Sequence, residues 1–369
     1  GKVAADRLEN QDVLLTVPAS FDAVARELTI EAAGKAGLHH VTLLEEPQAA
    51  FYAWLSARGD GWRKDVKVGD VVLVCDVGGG TTDFTLIAVT EEAGDLVLSR
   101  LAVGEHILLG GDNMDLALAY AVAGTLPQGM DGLDAAQRVA LGHACRVAKE
   151  TLFADPKKAA APVAVLGRGS KVIGGAIKTE LTRDMLHSVL LDGFLPSCAP
   201  TDQPLRGRRV GLTEIGLPYA ADPAITRHLA RFLGRQAGSL HTGGSMIMPS
   251  AVLFNGGVFK SDELRRRVLD VLSEWAGKPV PELPSTDLDL AVARGASYYG
   301  RVRRGKGVRI RGGVARSYYV GLETSAPAVP GVAPPVKALC VVPMGMEEGT
   351  EADVPSSEVG LIVGEPAVV

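Results

Sequence analysis

Three glycine clusters mark the places in this chain where an anion could be held. The first, Asp76-Val77-Gly78-Gly79-Gly80-Thr81-Thr82-Asp83, lies between the apolar runs Val71 to Cys75 and Phe84 to Val89. Bare glycines let the backbone approach a bound group, and successive N–H groups in such a turn form a concave anion site. Thr81 and Thr82 add hydroxyl donors, and Asp76 at the strand end can hold a hydrated Mg²⁺ through its carboxylate. The same residues also suit a glycine-rich β-turn between two strands, and alone the segment leaves both open. It is not a Walker loop, because no Gly-Lys-Ser/Thr follows and the glycines lead into a strand. Gly110-Gly111-Asp112 precedes a helix predicted from near Asn113, and a helix N-terminus is a ready anion site. Asn255-Gly256-Gly257 ends the strand-like run Ser250 to Phe254. One such cluster is ordinary; three arranged this way suggest a nucleotide cleft gripped from several sides.

The elements that must position these residues alternate between strand and helix. Residues 11–18 predict a buried strand ending at Pro18, followed by a helix over 21–37 with Gly37 as its C-cap. Val41 to Leu44 reads as a short strand, and Glu46-Pro47 opens a helix through Arg58, with Pro in the first turn. A polar linker, 59–69, leads to the glycine hairpin, and a further strand covers Leu96 to Val103. Residues 133–154 and 179–195 read as helices with strands around 163–177 between them. The Pro-, Gly- and Arg-rich stretch 198–223 reads as an insertion or long loop. A helix starts at Ser261, with Asp262 and Glu263 complementing its dipole. The last helix runs from Leu288 to Val302, and beyond Gly305 short strands with Pro and Gly turns suggest a separate β-module.

Composition narrows the class. A length of 369 residues exceeds one ordinary core, so roughly two or three domains or lobes are expected. An apolar fraction of 47% with only 5% aromatics suits an Ala/Val/Leu/Gly-rich α/β protein. The net charge of -5, with arginine clusters that no aromatics interleave, gives no sign of nucleic-acid binding. The four cysteines are far apart without a Cys-x-x-Cys, which fits a reducing cytoplasm rather than a disulfide or zinc framework. No apolar run is long enough to span a membrane. Gly1 in place of an initiator Met, and a strand-like end at Val369, read as a segment of a longer protein.

Several motifs, in order, carry a family resemblance. Asp76 to Asp83 resembles the second phosphate motif of DnaK-type heat-shock chaperones, the seventy-kilodalton class of the actin and sugar-kinase superfamily. Thr16-Val17-Pro18-Ala19-Ser20-Phe21 is similar to that family's Thr-Val-Pro-Ala-x-Phe, and Glu46-Pro47-Gln48-Ala49-Ala50 to its Asn-Glu-Pro-Thr-Ala-Ala. Gly110-Gly111-Asp112-Asn113-Met114-Asp115 resembles Gly-Gly-Glu-Asp-Phe-Asp, and Asn255-Gly256-Gly257 the adenosine-side Gly-Gly. Asp289-Leu290-Ala291-Val292-Ala293-Arg294-Gly295-Ala296 is similar to Asp-Glu-Ala-Val-Ala-x-Gly-Ala. The matches cover residues 11–302.

The resemblance implies an α/β fold of actin-like ATPase lobes: ribonuclease H-like, with mixed sheets flanked by helices, incomplete at the N-terminus and followed by a truncated β-rich module. Residues 1–65 would be the remainder of the first lobe. Residues 66–304 would be the second lobe, with a smaller subdomain at 110–245 and a final helix returning to the first lobe. Residues 305–369 would begin a substrate-binding-type module. The implied cofactors are ATP/ADP and Mg²⁺. Asp76 would hold the Mg²⁺ shell or the attacking water, and Glu46 would help position both. Gly78, Gly79, Gly80, Thr81 and Thr82 would cradle phosphates. Gly110, Gly111, Asp112, Lys149, Gly256, Gly257 and Asp289 would complete the nucleotide site. Pro18 and Arg26 match an allosteric proline and arginine.

Departures matter equally. The family's adenosine helix reads Glu-x-x-Lys-Arg-x-x-Ser; here it is Arg146-Val147-Ala148-Lys149-Glu150-Thr151-Leu152-Phe153. A Glu cannot supply the stacking face of a guanidinium, so adenine specificity is in doubt. The family's first phosphate hairpin and catalytic lysine precede anything present, so this segment alone is expected to hydrolyse ATP poorly. The implied protein is a divergent bacterial stress-response chaperone that couples ATP to unfolded client peptides through the β-module. It would be cytoplasmic, with a co-chaperone and an exchange factor as partners and neither nucleic acid nor membrane among them. A non-catalytic nucleotide-binding scaffold, a small-molecule kinase of the same superfamily and an actin-like filament protein are the alternatives.

Overall fold

The apolar run Val71–Val77 lies inside a five-stranded mixed sheet, and its side chains divide by parity. Leu73, Cys75 and Val77 enter one hydrophobic core, whereas Val72 and Val74 enter another. The two-residue period of a strand buried on both faces produces this split. The computed structural model describes residues 7–19, 21–105, 107–167, 176–205, 219–240, 245–284, 287–313, 317–323, 336–343, 346, 351 and 353.

In chain order the elements are β1 (Val13–Val17), α1 (Ala23–Lys35), β2 (Val41–Glu45), α2 (Glu46–Arg58) and the short α3 (Trp62–Asp65). Next come β3 (Val71–Val77), β4 (Thr82–Glu92), β5 (Asp95–Val103), α4 (Gly111–Ala123) and α5 (Ala135–Ala154). Then follow β6 (Ala160–Val165), β7 (Ile177–Thr182), α6 (Arg183–Val189), α7 (Ile225–Leu240), β8 (Ala251–Asn255) and α8 (Asp262–Ala276). α9 (Ala291–Arg303), β9 (Ile310–Arg311), β10 (Tyr318–Glu323) and β11 (Val336–Val342) complete the order.

The sheet order is β8-β3-β4-β5-β9. β3, β4 and β5 form an antiparallel meander, and β8 and β9 add parallel strands at its two edges. One face carries α4, α5, α7 and α8, whose Met114, Leu118, Cys145, Leu229 and Leu272 share a core with Phe84 and Phe254. The other face carries α2 and α9, with Phe51, Tyr52, Trp54 and Tyr299 over Val74 and Ile87. α2 and α9 approach closely because position 295 is glycine: a Cβ there would collide with the Ala49 carbonyl. β1 and β2 pair in parallel, and β6 pairs antiparallel with β7.

Several expectations change. The strand over 11–18 is half-buried rather than buried, apart from Val17. The polar linker 59–69 contains α3, whose Trp62 is wholly inside the second core. Residues 179–182 are strand, not helix, because Leu181 turns into the core opposite Ala161. Thr182 then caps α6 by accepting from the Met185 N–H at 3.2 Å. α7 was not anticipated, although Ile225, Leu229, Phe232, Leu233 and Ala237 recur at helical spacing and are buried. α9 begins at Ala291, three residues later than expected. The Ile310–Arg311 stretch, within the expected β-module, adds an edge strand to the main sheet, with Ile310 buried. Half of the 198–223 loop, residues 206–218, and most of the tail beyond 323 lie outside the described residues.

Candidate functional site

The register of β3 against β4 sets Asp76 opposite Asp83 and Val77 opposite Thr82, leaving Gly78-Gly79-Gly80-Thr81 as the turn. The Gly78 N–H closes it by donating to the Thr81 carbonyl at 2.9 Å. Gly79 and Gly80 are exposed. Among the described residues no bond from the amides of Gly79, Gly80 and Thr81 to a protein acceptor is seen, which leaves them available to an anion. Thr82, expected among the phosphate donors, is instead fully buried and donates its hydroxyl to the Leu109 carbonyl at 2.8 Å.

The second glycine cluster docks on the first. The Gly111 and Asp112 amides donate to the Gly78 and Gly79 carbonyls at 2.9 and 2.8 Å, and the Asn113 and Met114 amides to the Gly110 carbonyl at 3.1 and 3.2 Å. The N-terminus of α4 is therefore filled by the chain's own carbonyls and is not the open anion site that its glycines suggest. The Asp112 carboxylate lies beside Gly79. The third cluster closes on the same point. Gly256 has φ +89°, and a Cβ there would strike the Val77 carbonyl and Asp76 Oδ1, so only glycine fits.

These segments border one cleft of ≈ 410 Å³. Gly78, Gly79, Gly111 and Asp112 line one end, and Lys149, Gly257 and Asp289 line the remainder with Arg146, Glu150, Phe153 and Ser261. Ion pairs already organise its charged side chains. Lys149 Nζ lies 2.6 Å from Asp115 Oδ1, both largely buried. Lys260 pairs with Asp289 at 2.5 Å, and Arg146 with Glu150 at 3.2 Å, both exposed. Burial raises the Asp115 carboxyl, and Lys149 opposes that shift.

Asp76 sits behind the turn, 6% exposed, with its Oδ2 accepting from Asn255 Nδ2 at 2.8 Å. Burial pushes its carboxyl up to about 7; the Asn255 hydrogen bond opposes this, and Glu46 and Asp83 push further upward. Glu46, at the first turn of α2, is likewise raised by burial and by Asp83. Like charges on directly opposed strand residues repel, so Asp76, Asp83 and Glu46 form an acidic nest in which Asp83 raises both of the others. Among the described residues no three carboxylate, imidazole or thiolate groups converge as direct metal ligands. Asp83 and Asn255 were not singled out for these parts, although a 78–81 turn implies the 76–83 pairing.

Pro18 and Arg26 lie away from the cleft. Arg26 donates to the Phe21 carbonyl at 3.0 Å, to the Ala19 carbonyl at 3.4 Å and to Glu45 Oε1 at 2.8 Å. It therefore braces the loop that follows Pro18 against the end of β2. Arg100 of β5 takes the other oxygen of Glu45 and also donates to the Gly313 carbonyl.

A mixed sheet flanked by helices, with glycine turns from β3 and β8 meeting in one cleft, defines an actin-like ATPase fold. Within that class the sequence is specific: the family profile described as Hsp70 protein matches residues 2–215, and the chain belongs to the Hsp70 family. A chaperone protein HscA homolog of Pseudomonas putida is 39% identical over 257 residues, 68% of this chain and 36% of that protein. The HscA homolog of Bordetella pertussis is 37% identical over 172 residues, 46% of this chain and 24% of its own length. The chaperone protein HscA of Proteus mirabilis is 42% identical over 111 residues, 30% of this chain and 16% of its own. The aligned part thus spans about a sixth to a third of these relatives. Among the described residues no helix is long and apolar enough to cross a membrane.

Proposed function

We propose that this chain carries one wall of the Mg²⁺-nucleotide site of an ATP-driven chaperone, in which nucleotide state controls the binding of client peptides. The observation that carries this is the meeting of its three glycine clusters: the Gly111 and Asp112 amides bond to the 78–80 turn, and Gly256 abuts Asp76. In this reading the amides of Gly79, Gly80 and Thr81 bind phosphate oxygens. Mg²⁺ would supply charge neutralisation of the transferring phosphoryl group. Asp76, fixed by Asn255, and Glu46 orient the metal's water shell or an attacking water. Asp112 and Asp289 contact the cleft's water and ligand hydroxyls. Arg26 and Pro18 relay the state of this end toward the tail through Glu45 and Arg100. The allied proposals are a cytoplasmic, stress-related role and the help of a co-chaperone and an exchange factor.

The test is Mg²⁺-dependent ATP turnover by the full-length protein, with and without an unfolded peptide. Peptide-stimulated turnover supports the proposal; absence of nucleotide binding overturns it. A second reading, a nucleotide-binding scaffold without turnover, is favoured by the base end of the cleft. There Lys149 is committed to Asp115, and Arg146 and Glu150 stand in each other's expected charge positions. Nucleotide affinity without turnover would select it.

A further inference from the structure

The two walls at the base end of the cleft come from different helices of one core, and one arginine joins them beside the opening. α5 supplies Phe153 and Ala154, while the start of α8 supplies Ser261 and Leu264. Arg183, the first residue of α6, donates Nη2 to the Leu152 and Asp155 carbonyls at 2.7 and 2.8 Å and Nε to the Lys158 carbonyl at 3.0 Å. The bond to Leu152 satisfies a carbonyl that the end of α5 would otherwise leave without an intrahelical partner, and the other two fix the loop that follows. Its Nη1 reaches across to Glu263 Oε1 at 2.9 Å, in the first turn of α8. Glu263 Oε2 meets His187 Nε2 at 2.8 Å, so α6 holds both carboxylate oxygens. The Arg183 and Glu263 side chains are 17% and 25% exposed, which limits screening of the pair.

The other end of α8 is tied differently. Trp275 Nε1 donates to the Cys198 carbonyl at 2.7 Å, and Ser197 donates to Glu274 at 3.2 Å. α8 is thus anchored at its C-terminal end to the segment that follows α6, and latched at its N-terminal end to the close of α5.

We propose that Arg183, Glu263 and His187 form a latch that holds the α5 and α8 walls together and so sets how long a nucleotide stays in the cleft. None of the three touches the cleft, so they are positioning residues. The proposal rests on the nucleotide site inferred above. Releasing the latch lets the walls part at the α8 N-terminus about the Trp275 anchor, which speeds departure of a bound nucleotide and leaves its encounter unchanged.

The test uses the full-length protein and a fluorescent ADP analogue with Mg²⁺, with release followed by stopped flow after displacement by excess ADP. Glu263→Gln keeps the size of the side chain and removes its charge. It is expected to raise the dissociation rate about tenfold, the scale of a lost charge-assisted pair, with association within about twofold. Asp262→Asn, in the same turn but outside the latch, is expected to leave both rates unchanged. In nucleotide-free protein, amide exchange over residues 152–155 is expected to quicken in Glu263→Gln and not in Asp262→Asn. Unchanged dissociation with intact binding overturns the latch. Unchanged exchange does so even in a protein that binds no nucleotide, which separates its failure from failure of the site.

Discussion

The two ends of the cleft are built by different means. At the hairpin end the chain uses its backbone: a closed turn, two amides donated from the start of α4, and a glycine at φ +89° that no side chain could replace. At the α5 end it uses charged side chains, Arg146 with Glu150 and Lys149 with Asp115. The hairpin end admits no side chain at Gly110 or Gly256, where a Cβ would strike backbone carbonyls, whereas a side-chain grip changes with each exchange of charge. The hairpin end accordingly keeps the family's spacing, while the α5 end has Arg and Glu in exchanged positions. In the proposed reading, phosphate binding is the durable part of the site, and base recognition is the part open to rewiring.

That contrast can be broken most sharply at Gly256. Gly256→Val forces a Cβ into the Val77 carbonyl. It is expected to lower nucleotide affinity more than about 100-fold and to destabilise the fold by about 3 kcal/mol or more, measured by titration and by chemical denaturation. Retained affinity would mean that the third cluster is not part of the site.

Asp76 comes next. Its carboxyl is raised in the folded chain to about 7, against about 3.9 when unfolded, so the folded state holds a proton over a range where the unfolded state does not. Its stabilising contribution is present below about pH 4 and is lost as pH rises through about 7. Thermal melts of the nucleotide-free protein should show this decline between about pH 4 and 7, levelling off above. Asp76→Asn should flatten the decline and raise the melting temperature at pH 8. The same variant should remove most Mg²⁺-dependent turnover in the full-length protein, roughly 100-fold or more. A melting temperature that falls with Asp76→Asn would show that the acidic nest is already neutralised.

A smaller effect is expected from Glu150→Arg, which places a guanidinium where the family's stacking residue stands. It should raise the preference for ATP over GTP by no more than about tenfold and leave competition by inorganic tripolyphosphate unchanged. Loss of tripolyphosphate competition would show that the two ends are not separable. The smallest effect concerns stability: Arg146→Gln removes an exposed i,i+4 pair and should cost about 0.5 kcal/mol or less in denaturant titrations.

The hairpin end was legible in the sequence because its signals are local. Asp76 to Asp83 is a strand, a turn and a strand, and the glycines announce the close approaches that the structure shows. α2 and α8 were legible for the same reason, each opening with Pro47 or Ser261 at the expected place, and α5 fills most of the helix expected over 133–154. What was hidden depends on long-range pairing. Residues 179–182 carry a pattern that suits either helix or strand, and only β6 decides it. Trp62 sits among charged neighbours and gives no local hint of burial. The filling of the α4 N-terminus by the Gly78 and Gly79 carbonyls follows from docking of two segments about thirty residues apart, and spacing alone cannot show it. The ion pairs that occupy Lys149 and Asp289 were equally invisible, since each partner lies on another element.

The most direct test is calorimetric titration of Mg²⁺-ATP, Mg²⁺-GTP and tripolyphosphate into the full-length protein. A durable phosphate end with a rewired base end predicts that all three compete for one site and that ATP and GTP bind within about tenfold of each other. An ATP preference above about 100-fold, or no binding of any of the three, would contradict it.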